Sequence, residues 1–309
     1  MTNREKYIQL CLQEDLPLHA QAWWWEKSTA GKTWDAIIIE DDNRILAAMP
    51  YHVADKWCLH ALLMPVHTQY HYVYLASDAP VDTPVRLAQA MDALCRERHI
   101  GWCRLQGFYP PQLTEALRSC GFSTDLRTTY RIASVPPREE LPDTYSQNKR
   151  RQLRKAQGLH LTEMSADAFY TFHRDCMAKQ GKLIDYPAQW AQSVLPEAIR
   201  RQTGLLLGAQ NEEGNVLAAM FLAWDSQYAY YLLPAYDPDY KDTGAMTWLT
   251  NEALCIAHQK GLGFDFEGSM IPSVALSYRQ FGGEAASYCC IEKFYNPILR
   301  VAVRLHKHL

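Results

Sequence analysis

Short motifs recur in this chain in the same order and with similar spacing. Three segments return further along: residues 45–49 (ILAAM) as 216–220 (VLAAM), residues 93–95 as 253–255 (both ALC), and residues 118–121 (RSCG) as 279–282 (RQFG). The spacing stays between 160 and 171 residues. A solenoid repeats at about 50 residues or fewer, so a period this long predicts two domains of one fold.

Length and composition are those of a soluble protein with two domains. Of the 309 residues, 48% are hydrophobic and 21% charged, and no apolar run approaches the roughly 20 residues of a membrane helix. The N-terminus leads into no apolar signal segment, and the nine cysteines include no Cys-x-x-Cys pair. We therefore expect a cytoplasmic protein with reduced thiols and no stable membrane insertion. The net charge of −3 gives no general attraction to DNA, so any anion must bind locally.

Each copy has the pattern of a hairpin, a strand, a helix, a further strand and a short helix. The predicted elements are hairpins at 34–51 and 204–223, aromatic strands at 70–75 and 228–233, helices at 84–98 and 244–260, and strands at 102–105 and 264–266. The predicted fold class is therefore α+β, with two tandem domains that each contain a mixed, mostly antiparallel sheet flanked by helices. Residues 134–142 form a proline-rich, charged linker, which places the first domain at 1–140 and the second at 141–309.

The short helix that closes each copy ends in a similar segment, ALRSCGF in the first and ALSYRQFG in the second. Tyr278 lies four residues before Gly282, where the first copy has Leu117. These segments resemble the A-x-x-x-x-G-F segment of the GNAT acyltransferase superfamily. In that superfamily the tyrosine often protonates the leaving group, which a phenol can do and a leucine cannot. The resemblance implies a catalytic Tyr278 with Arg279 beside it, and the alternative is a half-buried aromatic residue.

A carboxylate ends the strand before this helix in the second copy. Asp265 and Glu267 both belong to this predicted strand end, and the first copy has Gln106 in the place of Glu267. A glutamine cannot accept a proton at neutral pH, whereas a glutamate can act as a general base. We therefore expect the chemistry in the second copy, with backbone amides near Leu233 and Pro234 stabilising the oxyanion.

A cluster of cations opens the second copy. Its members are Arg150, Arg151, Arg154 and Lys155. In a helix they form like-charge pairs four residues apart, each costing about 0.2–0.5 kcal/mol, and cations in a first turn oppose the helix dipole. This unfavourable arrangement indicates an anionic ligand, most simply a phosphate. The alternative is a solvated basic face.

The basic segment also carries a second resemblance. Residues 151–156 read RQLRKA, and residues 261–268 read GLGFDFEG. Tandem GNAT-like domains with an R-x-x-[IL]-[RK]-K-A helix are similar to the FemAB/FemX family. This resemblance implies transfer of an aminoacyl group from charged tRNA to an amine of a peptidoglycan precursor. Tyr278 stands where FemX-type enzymes have a lysine, and residues 65–69 (PVHTQ) resemble a segment of FemAB-like proteins to which we assign no chemistry.

The loop before the second long helix bears on the acyl donor. Ordinary GNAT enzymes cradle the coenzyme A pyrophosphate there in a glycine-rich loop, whereas residues 237–245 read DPDYKDTGA. Gly244 and the helix N-terminus remain to receive a phosphate, with Lys241 partly offsetting three aspartates that disfavour acetyl-CoA. No cofactor is certain, and acyl-CoA and aminoacyl-tRNA stay open as donors. We predict no metal, because the four histidines between residues 52 and 71 lack ligand spacing.

Together these features predict an N-acyltransferase that modifies an amine of a small or cell-wall-precursor-like acceptor. The first copy, lacking the tyrosine, is expected to build part of the acceptor site. One alternative is a GNAT enzyme that uses acyl-CoA or a carrier protein to modify a sugar amine or a polyamine. The other is a duplicated binding module without catalysis.

Overall fold

The computed structural model describes residues 1–29, 32–56, 59–297, 299, 300 and 303, and the chain divides into two compact units. The first unit comprises Met1–Arg127 together with the chain from Ser287 onward, and the second comprises Thr128–Ala286. This division at residue 127 replaces the predicted boundary near residue 140. The proline-rich linker lies inside the second unit, because the strand before it already pairs there, with Ile132 opposite Phe264.

The first unit contains a mixed sheet covered by helices. Its helices are α1 (Asn3–Gln13), α2 (Ala22–Ser28), α3 (Thr83–Glu97) and α4 (Pro111–Ser119), and its strands are β1 (Trp34–Asp41), β2 (Arg44–Lys56), β3 (Leu59–Leu63), β4 (Tyr74–Leu75) and β5 (Ile100–Gly107). The last strand of the chain, β12 (Glu284–Phe294), completes this sheet in the order β1-β2-β3-β5-β12, and β4 pairs with β2. Apolar residues of α3 and α4 pack on the sheet to form the core.

The second unit repeats this plan with additional helices. Strand β6 (Ser123–Ile132) leads into it, and the helices are α5 (Leu141–Thr144), α6 (Gln147–Lys155), α7 (Ala166–Lys179), α8 (Ala188–Arg200), α9 (Ala245–Gln259) and α10 (Pro272–Arg279). The strands are β7 (His160–Glu163), β8 (Gly204–Gln210), β9 (Val216–Trp224), β10 (Tyr228–Tyr236) and β11 (Gly263–Asp265), in the sheet order β6-β11-β10-β9-β8-β7. Helix α9 is buried along most of its length against this sheet.

The recurring motifs lie on equivalent elements of the two units, which confirms the predicted tandem α+β fold. Residues 45–49 lie in β2 and 216–220 in β9, the second strand of each hairpin. Even the hairpin register agrees, since Ile39 pairs with Ala47, Ala209 pairs with Ala218, and a bulge follows in both. The helices α4 and α10 each end before a glycine with a positive φ, at Gly121 and Gly282.

One predicted strand of the first unit is wrong. Residues 70–75 were expected to match β10, but only Tyr74–Leu75 form a strand there. Strand β3 takes the equivalent place, because it pairs antiparallel with β2 and parallel with β5, as β10 does with β9 and β11. The alternating aromatic residues instead fill the core, where the buried Tyr70 ring packs against Phe108 and Tyr288.

Other expectations concern features of the whole chain. Within the described residues no helix combines the length and the apolar character needed to cross a membrane. The same residues contain no group of three or more side chains able to hold a metal ion. The eight cysteines in the described part of the chain are free thiols.

Candidate active site

The sheet of the second unit opens where β10 and β11 part. Their parallel ladder runs from Tyr228 opposite Gly263 to Tyr230 opposite Asp265, where β11 ends while β10 continues to Tyr236. Leu233 has a φ of 48°, and the register with β9 shifts between Leu232 and Ala235. Such a bulge bends a strand and leaves backbone groups outside the regular ladder. The predicted oxyanion site, around Leu233 and Pro234, therefore lies on this bulge.

The end of β11 is fixed by a fully buried carboxylate. Asp265 Oδ1 accepts hydrogen bonds from Thr129 Oγ1 and from the Glu267 backbone N–H, both at 2.7 Å, and Oδ2 accepts one from Arg131 Nε at 2.7 Å. Glu267 and Gly268 then have φ angles of 59° and 69°, so the chain reverses sharply here. A Cβ atom on Gly268 would lie 2.9 Å from the Thr129 Cα, so this turn requires a glycine. Asp265 thus serves as a scaffold that orients Glu267.

Glu267 and Tyr278, the two predicted proton-transfer residues, lie within electrostatic reach of one another. The Oε1 atom of Glu267 is enclosed, and burial together with the nearby Asp265 charge raises the pKa of this carboxyl well above its ordinary value, against the effect of Arg131. Burial raises the pKa of Tyr278 as well, and Tyr231 and Glu267 add to the increase. A carboxylate with a raised pKa is a stronger base, and the phenol remains protonated at neutral pH.

Aromatic rings hold Tyr278 in place. Its ring stacks on Phe266 with the centroids 4.8 Å apart and contacts the edges of Tyr231 and Tyr130 at 6.0 and 6.1 Å. The neighbouring Arg279 is exposed, and its guanidinium lies 5.9 Å from the centre of the Tyr130 ring. The two residues thus leave the last turn of α10 in different directions, Tyr278 inward and Arg279 outward.

Comparison with known proteins shows which protein fold has this geometry. Residues 144–270 match the family model of the GNAT acetyltransferase domain. The fold of the whole chain is similar to that of FemX, with a TM-score of 0.71 and 11% identity over 98% of both chains. The chain therefore has a tandem GNAT fold similar to that of FemX, and the sequence match to the GNAT domain lies in its second unit.

Other solved structures share the fold at similarly low identity. A tandem GNAT protein from the clavulanic acid biosynthesis pathway has a TM-score of 0.56 at 11% identity, covering 85% of this chain and 83% of its own. The C-terminal domain of a putative lysylphosphatidylglycerol synthetase from Agrobacterium fabrum has a TM-score of 0.61 at 11% identity, covering 94% and 91%. No curated protein sequence is significantly similar to this chain. The expected α+β class, tandem GNAT architecture and acyltransferase class are confirmed.

The predicted basic residues of the acyltransferase form one exposed face of α6. Its members are Arg150, Arg151, Arg154 and Lys155. Among the described residues none of the four makes an ion pair, and the Arg151 guanidinium donates only to Asn148 Oδ1 at 3.3 Å. We call this surface the basic face. Its binding of phosphate stays a prediction.

The opposite side of α6 carries a lysine that the sequence analysis did not select. Lys149 is 8% exposed; its Nζ donates to Ser277 Oγ at 2.9 Å and lies 4.2 Å from the centre of the Phe281 ring. Burial lowers the pKa of Lys149 to about 8. The helical spacing of Lys149 with Leu153 and Ala156 would have identified its inward position.

Removal of the Lys149 charge is expected to stabilise the protein at neutral pH. Because the pKa of Lys149 lies below its ordinary 10.5, the folded state binds fewer protons than the unfolded state between about pH 8 and 10.5. The free energy of unfolding of the wild type should therefore rise by about 3 kcal/mol across this window relative to Lys149→Met. Urea unfolding at several pH values measures this difference. Lys182→Met, at an exposed position, serves as the control; equal pH dependence in both variants contradicts the expectation.

The loop before α9 is less repulsive to phosphate than the sequence indicated. Lys179 Nζ donates to both Asp237 oxygens at 2.8 Å and to Asp239 Oδ2 at 2.6 Å, so one positive charge is shared by two of the three aspartates. Lys241 is exposed on the short 3-10 helix of this loop. The argument from repulsion against acetyl-CoA therefore loses most of its weight.

Gly244 begins α9 in direct contact with the basic helix α6. Its φ is 79°, and a Cβ atom there would lie 2.2 Å from the Gln152 carbonyl oxygen, so only glycine fits. Gly244 itself has no side chain to cap α9, and Thr243 Oγ1 accepts a hydrogen bond from the Ala245 backbone N–H at 3.3 Å. Thr247 Oγ1 donates to Gln152 Oε1 at 2.7 Å and joins the same two helices. The predicted phosphate-binding residues of α6 and Gly244 thus belong to adjoining elements.

The equivalent end of β5 in the first unit is filled by the chain itself. The His71 backbone N–H donates to the Gln106 carbonyl at 2.6 Å, and Gln106 Nε2 donates to the Gln69 carbonyl at 3.0 Å. A Cβ atom on Gly107 would lie 2.0 Å from the His71 carbonyl oxygen. Leu117, at the place of Tyr278, is buried in the core. Residues 69–71 therefore occupy the position that is open beside β10 in the second unit.

Proposed function

We propose that this acyltransferase transfers an acyl or aminoacyl group to an amine of a small or cell-wall-precursor-like acceptor. The observation that carries the proposal is the parting of β10 from β11 beside Glu267 and Tyr278. Backbone N–H groups on the bulge at Leu233 would polarise the donor carbonyl. The fold similarity to FemX supports the aminoacyl version of the reaction.

The proposed chemical step uses Glu267 as the base and Tyr278 as the acid. The acceptor nitrogen attacks the donor carbonyl carbon, and the Glu267 carboxylate takes the proton that this nitrogen loses. The C–O or C–S bond to the donor then breaks, and the Tyr278 hydroxyl gives its proton to the departing oxygen or sulfur. Both residues regain their starting states when a proton passes from Glu267 to Tyr278 through solvent.

The two units have different roles in this proposal. The second unit, which begins at Thr128 and contains most of the predicted domain 141–309, carries the chemistry. The first unit, which contains most of the predicted domain 1–140, binds the acceptor without catalysis, because residues 69–71 fill its equivalent site. A cavity of about 720 Å³ in the first unit, lined by Phe108, Tyr109, Tyr288 and Arg118 among others, offers room for such a ligand.

The basic face is proposed to bind a phosphorylated part of donor or acceptor. Replacing Arg151 and Arg154 by alanine should weaken the binding of inorganic pyrophosphate by about 1–3 kcal/mol, as the loss of charge-assisted hydrogen bonds usually does. Isothermal titration calorimetry at low salt measures the affinity. Replacing Arg200 and Arg201, which pair with Glu197 at the end of α8, removes the same charge and should have little effect. If both double variants weaken pyrophosphate binding equally, net charge alone explains the loss and the basic face is not a specific site.

A second candidate function is acyl transfer from coenzyme A or a carrier protein to a sugar amine or a polyamine. Two observations favour this second candidate and weaken the sequence argument against acetyl-CoA as the donor. Helix α9 begins directly after Gly244, which leaves its N-terminus accessible to a ligand, and Lys179 offsets part of the charge of Asp237 and Asp239 before it. A helix N-terminus with neutralised surroundings is a suitable site for a phosphate.

One substrate panel separates these possibilities. Acyl-CoAs and charged tRNAs are offered as donors, with nucleotide-linked wall precursors, amino sugars and polyamines as acceptors, and products are detected by mass spectrometry. An aminoacylated precursor formed only with charged tRNA supports the first proposal. Release of free coenzyme A thiol with an acylated amine supports the second. Ligand binding without any product would make the chain a binding module and overturn both.

A further inference from the structure

The first turn of α6 is joined directly to the last turn of α10. The Ser146 backbone N–H donates to the Gln280 carbonyl at 2.9 Å, and Lys149 Nζ donates to Ser277 Oγ at 2.9 Å. Their outer sides therefore meet along this contact. On α10, Leu276 and Arg279 are three residues apart and both exposed, so they share the outward face of the helix.

Aliphatic side chains are exposed along this junction. Met270 and Ile271, just before α10, are 63% and 60% exposed, and Leu276 on the helix is 50% exposed. They follow Glu267 within nine residues of the chain. Grouped exposed aliphatic residues of this kind mark interaction surfaces more often than isolated ones do.

Exposed cations lie on the same two helices. Arg279 adds a fifth positive charge to the four of the basic face, and in the described part of the chain none of the five forms an ion pair with a carboxylate. The whole protein carries a net charge of −3, so this cluster is a local exception. A surface with this composition matches a partner that offers both negative charge and an apolar layer.

We propose that the basic face, Arg279 and the aliphatic residues Met270, Ile271 and Leu276 form a docking surface for an anionic lipid bilayer. The cations contact the lipid phosphates, and the three aliphatic side chains enter the boundary between headgroups and acyl chains. A nucleic acid would use the cations but would leave the aliphatic side chains exposed to water. The bilayer satisfies both parts of the surface.

This inference deepens the proposed function and rests on it for its meaning, because the three aliphatic residues belong to the segment that directly follows Glu267. An enzyme docked here would present its active site to an amine or an acyl donor carried at the membrane surface. Docking itself involves no chemical step and is measured without turnover. A protein that does not bind vesicles would contradict the docking surface but not the proposed reaction. A protein that binds vesicles without turnover would contradict the proposed reaction but not the docking surface.

The test uses the full-length chain and vesicles. Sedimentation should show binding to phosphatidylcholine vesicles that contain phosphatidylglycerol and none to phosphatidylcholine alone. Each cation near an anionic surface contributes roughly a factor of five, so Arg151→Ala with Arg154→Ala should lower the partition coefficient about 25-fold. Ile271→Ser with Leu276→Ser should lower it by about tenfold or more at unchanged charge.

Matched controls and a competing ligand make the result decisive. Leu183→Ser, at a position 93% exposed elsewhere in the second unit, should leave vesicle binding unchanged. Equal binding by the Ile271→Ser, Leu276→Ser variant and the wild type overturns the proposal, since cations alone would then account for the attraction. Binding to phosphatidylcholine alone, or binding of tRNA but not of anionic vesicles, overturns it as well.

Discussion

Tyr278→Phe should lower the turnover of acyl transfer by a factor of about 10²–10⁴ and leave the free energy of unfolding almost unchanged. Phenylalanine keeps the ring that stacks on Phe266 at 4.8 Å, so the packing of α10 is preserved. The variant lacks only the hydroxyl proton, which the leaving group needs. Steady-state kinetics with the donor found in the substrate panel measures the effect, and urea unfolding checks stability.

Tyr186→Phe is a suitable control for this experiment. Its hydroxyl also lies in the second unit, where it shares a 3.0 Å hydrogen bond with His173 Nδ1. Turnover should stay close to the wild-type value. If Tyr278→Phe is equally active, Tyr278 only fills the aromatic cluster, and proton transfer to the leaving group needs another donor.

Asp265→Ala should destabilise the protein by about 3–5 kcal/mol, because it removes the carboxylate that balances the mostly buried Arg131 charge. The substitution also removes the acceptor for Thr129 Oγ1 and for the Glu267 backbone N–H. The reverse turn at Glu267 would lose its anchor, so activity should fall together with stability. Urea unfolding monitored by tryptophan fluorescence gives the free energy.

An exposed ion pair provides the comparison for Asp265. Asp41 pairs with Arg86 on the surface of the first unit, and Asp41→Ala should be far less destabilising than Asp265→Ala, because solvent screens an exposed pair. Asp265→Asn keeps the shape and one acceptor, so it should be less destabilising than Asp265→Ala. A loss below 1 kcal/mol for Asp265→Ala would show that the carboxylate does not scaffold the site.

The duplication was predictable because the repeated residues are buried at equivalent positions in the cores of both units. Residues 45–49 and 216–220 form the second strand of each hairpin, where four of five side chains in each are buried. Tyr278 and Glu267 were found by comparing the copies, since residues that differ within a common fold are not needed for folding. The exposed basic face followed from its charge pattern alone.

Features that depend on contacts between distant residues could not be predicted. Lys179 compensates Asp237 across 58 residues of sequence, and no local pattern announces that pair. Aromatic alternation at residues 70–75 is common to a strand and to a loop packed into a core, and only tertiary packing distinguishes them. The charge pattern did not distinguish Lys149, because four neighbouring residues are also cationic. Only its position on the helix differs from theirs.

The return of the last strand to the first unit sets the order in which this chain can be completed on the ribosome. Residues 289–294 of β12 pair with residues 102–107 of β5, whereas the second unit consists of one uninterrupted stretch, Thr128–Ala286. The unit that is translated first is therefore the one whose sheet is finished last. Until β12 emerges, the edge of β5 stays unpaired and prone to wrong association, so premature termination after residue 286 harms the N-terminal unit most.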